Sequence, residues 1–338
     1  MRKAALVIYQ KDGVITVTGE KPYKKEYSAK EDVTLLAGEI EASLREERLV
    51  EESDVIVCPG GVLKPVKKGC YQISGEALRD ARENTYGKHA YNKLTELACE
   101  VGQKCGLPAI MMYPMSSDEL LPINRITSHA DIPKYSRYHA LEHHFGQIIL
   151  GNLLKKRVEN MNCIVAYMDD FVSVSACERG VCLDVNDCIG LEGPMGLTSS
   201  GDVPVAQIAA YFMENQYSYS DMEEMLGNSA GLRQYTGVSN IQEMDLAYGR
   251  DKAVKTACEA MAYQVAKWIG SSALVLKGKV DGILLSGRAA ESKILPGLVK
   301  KRVENIAPVF IVQDMSVEKY MAEEAGMLGT YACPVYTY

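Results

Sequence analysis

His139 and His143 stand four positions apart, with Glu142 and His144 beside them in an otherwise apolar stretch. On a helix, positions i and i+4 share a face, so the two imidazoles have the spacing to share a metal ion. The competing role is packing, and no resident metal is expected. Asp169 and Asp170 are adjacent acids between two apolar runs. Such a pair can hold Mg²⁺, but Asp between strands more often shapes a β-turn, and that is the expectation. The ten cysteines include no C-x-x-C pair. Zinc, iron–sulfur and thioredoxin chemistry therefore lack their usual spacing, and reduced, buried thiols are expected. Asp118 and Glu119 after Ser116 and Ser117 look like a helix N-terminus, where acids suit the dipole. Ile110-Met111-Met112 and the 331–338 tail read as packing or interface segments.

Periodicity gives the strands and helices that carry these residues. An apolar strand over 4–9 reaches Lys11-Asp12-Gly13, a hairpin turn, and returns over 14–18. A helix over 30–49, a strand over 54–57 ending at Pro59-Gly60-Gly61, helices over 76–84 and 89–105, a strand over 109–113 and a helix over 138–156 complete a first cycle. A second cycle opens with strands over 163–168, 171–177 and 181–185, with Arg179-Gly180 as a hairpin turn. Helices over 205–215, 220–226 and 252–276 follow, then a strand over 282–285, a helix over 293–303, a strand over 309–312 and a helix over 317–325. Each half opens with a hairpin sheet and continues as βα units. The predicted class is α/β with two similar domains, 1–158 and 159–338, the last segment packing back on the first. Ligands in such folds sit at the carboxyl ends of strands, here in a central cleft between the halves.

Composition narrows the partners. The 338 residues are 47% apolar and 24% charged, as in a soluble globular protein. A net charge of −7 with scattered basic residues argues for no nucleic acid and no membrane as partner. No apolar run approaches the ~18 residues of a membrane span. The opening residues lack a secretory leader's apolar core, and the expected location is cytoplasmic.

Six blocks, in order, carry a resemblance. They are Gly60-Gly61-Val62-Leu63-Lys64-Pro65-Val66, Gly87-Lys88-His89-Ala90, Tyr138-His139-Ala140-Leu141, Asp184-Val185-Asn186, the stretch from Glu259 to Lys267 with Val275 to Asp281, and the stretch from Lys301 to Val309. Together they resemble butyrate kinases, of the acetate and butyrate kinase family in the actin-like ATPase superfamily. The resemblance implies two duplicated actin-like domains closing over Mg-ATP, phosphoryl transfer to a short-chain carboxylate, and a homo-oligomer. It also implies a catalytic position at His139, nucleotide positions at Gly201, Gly237, Ser286, Gly287 and Arg288, and substrate positions at Gly60 and Gly61.

The positions that such kinases use for chemistry depart from the pattern. The opening phosphate loop, N-P-G-S-T-S-T-K in butyrate kinases, is Tyr9-Gln10-Lys11-Asp12-Gly13-Val14-Ile15, without hydroxyls. The second loop, His-Leu-Gly-Gly-Gly, is Tyr167-Met168-Asp169-Asp170-Phe171, with two carboxylates where phosphates would pass. Pro59 replaces the Arg that grips the carboxylate, Tyr113 replaces the Asp before a Pro, and Ser199 replaces the Arg that stabilises the transferring phosphoryl. In the adenosine motif Thr-Gly-Gly-Ile-Ala, Arg288 now follows Gly287. Losing an arginine that meets transition-state charge commonly costs ~10³-fold or more in rate. The expectation is a butyrate-kinase-like protein that is non-catalytic or strongly impaired. It would act as a scaffold, as a small-ligand binder, or as a partner in a hetero-oligomer with an active homologue. The alternatives are an active butyrate-type kinase using Mg-ATP and an enzyme of altered specificity.

Overall fold

The computed structural model describes residues 3–19, 23–238, 240–331 and 333–338, so Ala332 of the predicted tail lies outside the described residues. The first strands are β1 Ala5–Lys11, β2 Val14–Thr18, β3 Lys24–Ser28, β4 Val55–Pro59, β5 Cys70–Gln72 and β6 Ala109–Met112. They are followed by β7 Asn162–Met168, β8 Val172–Glu178, β9 Val181–Val185, β10 Gly282–Ser286, β11 Val309–Ile311 and β12 Val335–Thr337.

Two sheets result, one ordered β12-β5-β6-β4-β1-β2-β3 and the other β11-β10-β7-β8-β9. In each, the first strand pairs antiparallel with a hairpin neighbour and parallel with a later strand: β1 with β2 and β4, β7 with β8 and β10. The third strand of each then extends the hairpin side, and β6 or β11 extends the parallel side. The same order and directions thus recur in both halves of the chain. The hairpins use the same device twice. Asp12 and Gly13 have φ of 52° and 77°, and Arg179 and Gly180 have φ of 52° and 87°. Two successive left-handed residues make the turn whose twist matches that of the strands. The central parallel strands β4 and β10 are buried throughout, as strands covered on both faces must be.

The chain divides into two compact units, 1–118 with 316–338, and 119–315. These bounds differ from halves drawn at 158/159, because the helix Ala140–Leu154 packs on β7 and β10. The helix starts are set by caps. Asp32 accepts from the Thr34 and Leu35 amides, so its helix runs Val33–Glu46, and Arg48 at φ 56° separates the short helix Leu49–Glu52. Asp251 caps the helix Lys252–Val275, whose Val254, Cys258, Met261, Val265 and Ile269 are buried at helical spacing. Asp118 and Glu119 do not start a helix. Ser117 bridges to Val66, the Asp118 amide donates to Val66 O, and Glu119 accepts from the Cys182 amide, so turn and bridge contacts took the groups a cap would use. The strands β3, β5 and β12 are additions to the sequence reading. Two of them have only three residues and pair with distant strands. Among the described residues, no helix is long and apolar enough to cross a membrane.

Candidate functional site

In the 119–315 unit, the parallel strands β7 and β10 end side by side, Ser286 lying opposite Tyr167. Carboxyl ends of parallel strands are where such sheets place ligands. The two chains leaving these ends meet at once. Gly287 turns at φ 87°, and a Cβ there would stand 2.6 Å from Met168 O. That turn delivers Arg288 onto the acids beyond β7. Its Nη2 lies 3.2 Å from Asp169 Oδ1 and also donates to Asp170 Oδ1. The Arg288 amide donates to Asp169 Oδ2 at 3.4 Å, and the Asp170 amide to Asp169 Oδ1 at 2.8 Å. Burial pushes the Asp169 carboxyl above its usual range, and the Arg288 charge acts against that shift.

The Asp169-Asp170 turn is also closed from the other side. Leu197 N–H donates to Asp169 O at 2.9 Å, Ser199 N–H to Asp170 O at 3.0 Å, and Gly196 N–H to Ser199 O at 2.9 Å. A Cβ on Gly196 would stand 2.0 Å from Asp170 O, so only glycine permits this approach. Gly201, at φ 61°, packs on the 193–195 backbone of the same loop, a Cβ there meeting Gly193 O at 2.5 Å. Gly231 lies against Gly196 O in the same way. Gly237 is different: it is the left-handed cap of the helix Gly231–Thr236, and a Cβ there would meet nothing within 4 Å. Ser286 is fully buried, and its Oγ has no hydrogen-bond partner among the described residues.

His139 precedes the helix Ala140–Leu154 and is 6% exposed. Its ring lies 4.6 Å from the Tyr167 ring, centroid to centroid, on the strand that leads to Asp169. His139 Nδ1 and His143 Nε2 each stand 2.8 Å from Ser173 Oγ, and His143 Nδ1 stands 2.6 Å from Ser175 Oγ. The i,i+4 spacing therefore serves two hydroxyls of β8, a strand whose inward serines the sequence pattern did not single out. Burial pushes the His143 imidazole down to about 4.

The comparisons with known proteins agree with this architecture. The acetokinase family pattern matches residues 115–310. The chain is 31% identical to the probable butyrate kinase of Listeria innocua over 264 residues, 78% of this chain and 74% of that protein. It is 32% identical to butyrate kinase 1 of Clostridium acetobutylicum over 261 residues, 77% of this chain and 74% of that protein. The chain belongs to the acetokinase family. The fold agrees with it. A propionate kinase from Francisella tularensis superposes with a TM-score of 0.78 at 15% identity, covering 95% of this chain and 98% of the other. An acetate kinase from Porphyromonas gingivalis gives 0.74 at 16% identity, covering 94% and 90%.

In this acetokinase-family chain the remaining predicted positions lie in the 1–118 and 316–338 unit. Gly60 and Gly61 follow β4 and are pressed against neighbours: a Cβ on Gly60 would stand 2.6 Å from Pro114 Cα, and one on Gly61 2.3 Å from Asn92 Oδ1. Their conformation is accounted for by packing. Pro59 ends β4, is buried, and pairs with Met112. Tyr113 follows β6 at φ 45°, is 7% exposed, and donates its hydroxyl to Glu324 Oε1. Lys11 closes the first hairpin opposite Val14.

Proposed function

We propose that this acetokinase-family protein is non-catalytic or strongly impaired as a kinase, and acts by binding a partner or a small ligand. The observation that carries the reading is the Arg288 guanidinium seated on Asp169 and Asp170. Phosphoryl transfer is mostly positioning and charge neutralisation. A loop that takes part in it aims backbone N–H groups at phosphate. Here the amides of Asp170, Gly196, Leu197, Ser199 and Arg288 are spent on neighbouring carbonyls and on the Asp169 carboxylate. The carboxylates of the size and charge to take Mg²⁺ already hold an internal cation. These residues do not suit a nucleotide polyphosphate. A partner role draws support from the helix Val205–Glu214, which buries none of its residues and exposes Val205 and Met213. Such a face fits a homo-oligomer or a hetero-oligomer with an active homologue.

Membership of the acetokinase family favours a second reading, an active short-chain carboxylate kinase using Mg-ATP. A thermal-shift titration with Mg-ATP and Mg-ADP, run beside an active butyrate kinase, separates the two. A ligand at 100 times its Kd stabilises by about 2.7 kcal/mol. We expect no shift up to millimolar nucleotide and no acyl phosphate from butyrate, propionate or acetate. Acyl-phosphate formation would establish the second reading. A nucleotide shift without acyl phosphate would point to altered specificity.

A further inference from the structure

A separate group of reactive side chains lies in the 1–118 and 316–338 unit. Cys70 opens β5, Cys333 stands two residues before β12, and Glu324 is in the last turn of the helix Val317–Ala325. The two sulfurs are 3.6 Å apart, and both lie within 4.8 Å of a Glu324 carboxylate oxygen. All three residues are buried, at 1%, 2% and 8% exposure for Cys70, Cys333 and Glu324.

We propose that Cys70, Cys333 and Glu324 bind one divalent cation of the zinc class, with Tyr113 as a positioning residue. The geometry fits a tetrahedral ion. With metal–sulfur bonds of about 2.3 Å, the sulfur–sulfur edge of a tetrahedron is about 3.8 Å, close to the spacing observed. Two thiolates select a borderline-soft ion over Mg²⁺ or Ca²⁺, and a carboxylate completes a mixed donor set that zinc accepts. The fourth position falls to water or to a further oxygen donor.

The surroundings hold these donors in place. The Tyr113 hydroxyl donates to Glu324 Oε1, the kind of contact that orients a ligating carboxylate. Tyr113 does this from a left-handed backbone at φ 45°, a conformation that a bulky residue adopts only under constraint from its surroundings. Its amide is tied to Gly69 O at 2.9 Å, next to Cys70. The Tyr336 ring packs so closely on Gly69 that a Cβ there would meet Cε2 at 2.6 Å. Thiol ligands give up their protons to solvent as the ion binds, so its affinity falls as pH falls. Once bound, the ion ties β5, the helix Val317–Ala325 and the segment before β12 into one crosslinked group.

The test uses full-length protein, reduced and stripped with a chelator, then titrated with Co²⁺ and back-titrated with Zn²⁺. We expect one equivalent of cobalt with tetrahedral d–d bands and a thiolate-to-cobalt charge-transfer band, displaced by one equivalent of zinc. Cys70→Ser and Cys333→Ser should abolish the charge-transfer band, and Cys99→Ser, at a cysteine on the helix Ala90–Cys105, should leave it. Tyr113→Phe should weaken cobalt binding about 10- to 100-fold while leaving the stoichiometry at one. A reduced wild-type protein that gives no thiolate band overturns the proposal, whatever the variants do. So does a band that survives in either serine variant. A Cys70–Cys333 disulfide in protein alkylated without reductant would also overturn it, assigning the pair to redox chemistry. None of these outcomes depends on whether nucleotide binds.

Discussion

Arg288 is one cation set against two carboxylates, and its removal leaves two adjacent acids uncompensated in a half-buried turn. Arg288→Ala is expected to lower stability by about 2 kcal/mol, the scale of a lost hydrogen bond to a charged group. Arg288→Lys should recover only part, because its ammonium brings the charge that Nη2 carries to both carboxylates but on a shorter side chain. Adding Asp169→Asn and Asp170→Asn to Arg288→Ala should recover more. The pH dependence has a definite sign. Burial already raises Asp169, and Arg288 opposes the rise, so the variant's carboxyl should rise further. A carboxyl with a folded value above its unfolded one keeps its proton longer when folded, so stability falls as pH rises through that window. Urea unfolding of Arg288→Ala at pH 5 and pH 8 should show the larger deficit at pH 8. An equal deficit at both would mean that the guanidinium contributes packing rather than charge.

At the scale of elements, the helix Ala140–Leu154 is keyed to β8 through histidine–serine contacts rather than through apolar packing alone. His143 is held neutral by burial, down to about 4, against 6.5 in an unfolded chain. Between these values the unfolded chain binds a proton that the folded one refuses. Stability is therefore undiminished above about pH 6.5 and falls as pH drops towards 4, by about 3 kcal/mol at the lower end. His143→Gln should flatten this part of the stability–pH curve by close to one proton, read from urea midpoints between pH 4 and 7. If the slope is unchanged in the variant, His143 takes its proton with little resistance.

For the whole molecule, residues 316–338 group with 1–118 although nearly two hundred residues separate them in sequence. The segment buries Val317, Met321, Ala325 and Leu328 and supplies β12 beside β5. Burying a Val, Leu or Met side chain contributes about 1.5–3 kcal/mol. Losing several of these, together with a strand, rivals the 5–15 kcal/mol that typically holds a domain folded. Truncation after Met315 is therefore expected to unfold the 1–118 unit. Limited proteolysis should degrade 1–118 quickly while 119–315 persists as a resistant fragment. A truncated chain that keeps full cooperativity would show that the terminal segment is only attached.

Most of what is local can be read from neighbouring residues. The hairpin turns at Asp12-Gly13 and Arg179-Gly180 were legible because two consecutive residues must adopt positive φ there. The long helices and central strands were legible from periodicity, and the family from ordered blocks that span most of the chain. At the site, the changed residues 169, 170, 199 and 288 were legible as substitutions, each on its own. That they answer one another is visible in the fold alone: Arg288 closes on Asp169 and Asp170, and Ser199 gives its amide to the same turn. Pairings of this kind depend on where β7 and β10 end, which no window of sequence contains. The same holds for Cys70 and Cys333, 263 positions apart, which carry no spacing signature at all. Tyr113 in sequence is a lost aspartate, and in the fold it is a hydroxyl bonded to Glu324. Local backbone preference is written in neighbouring residues, whereas ion pairs and ligand clusters form between side chains that only the packed sheets bring together.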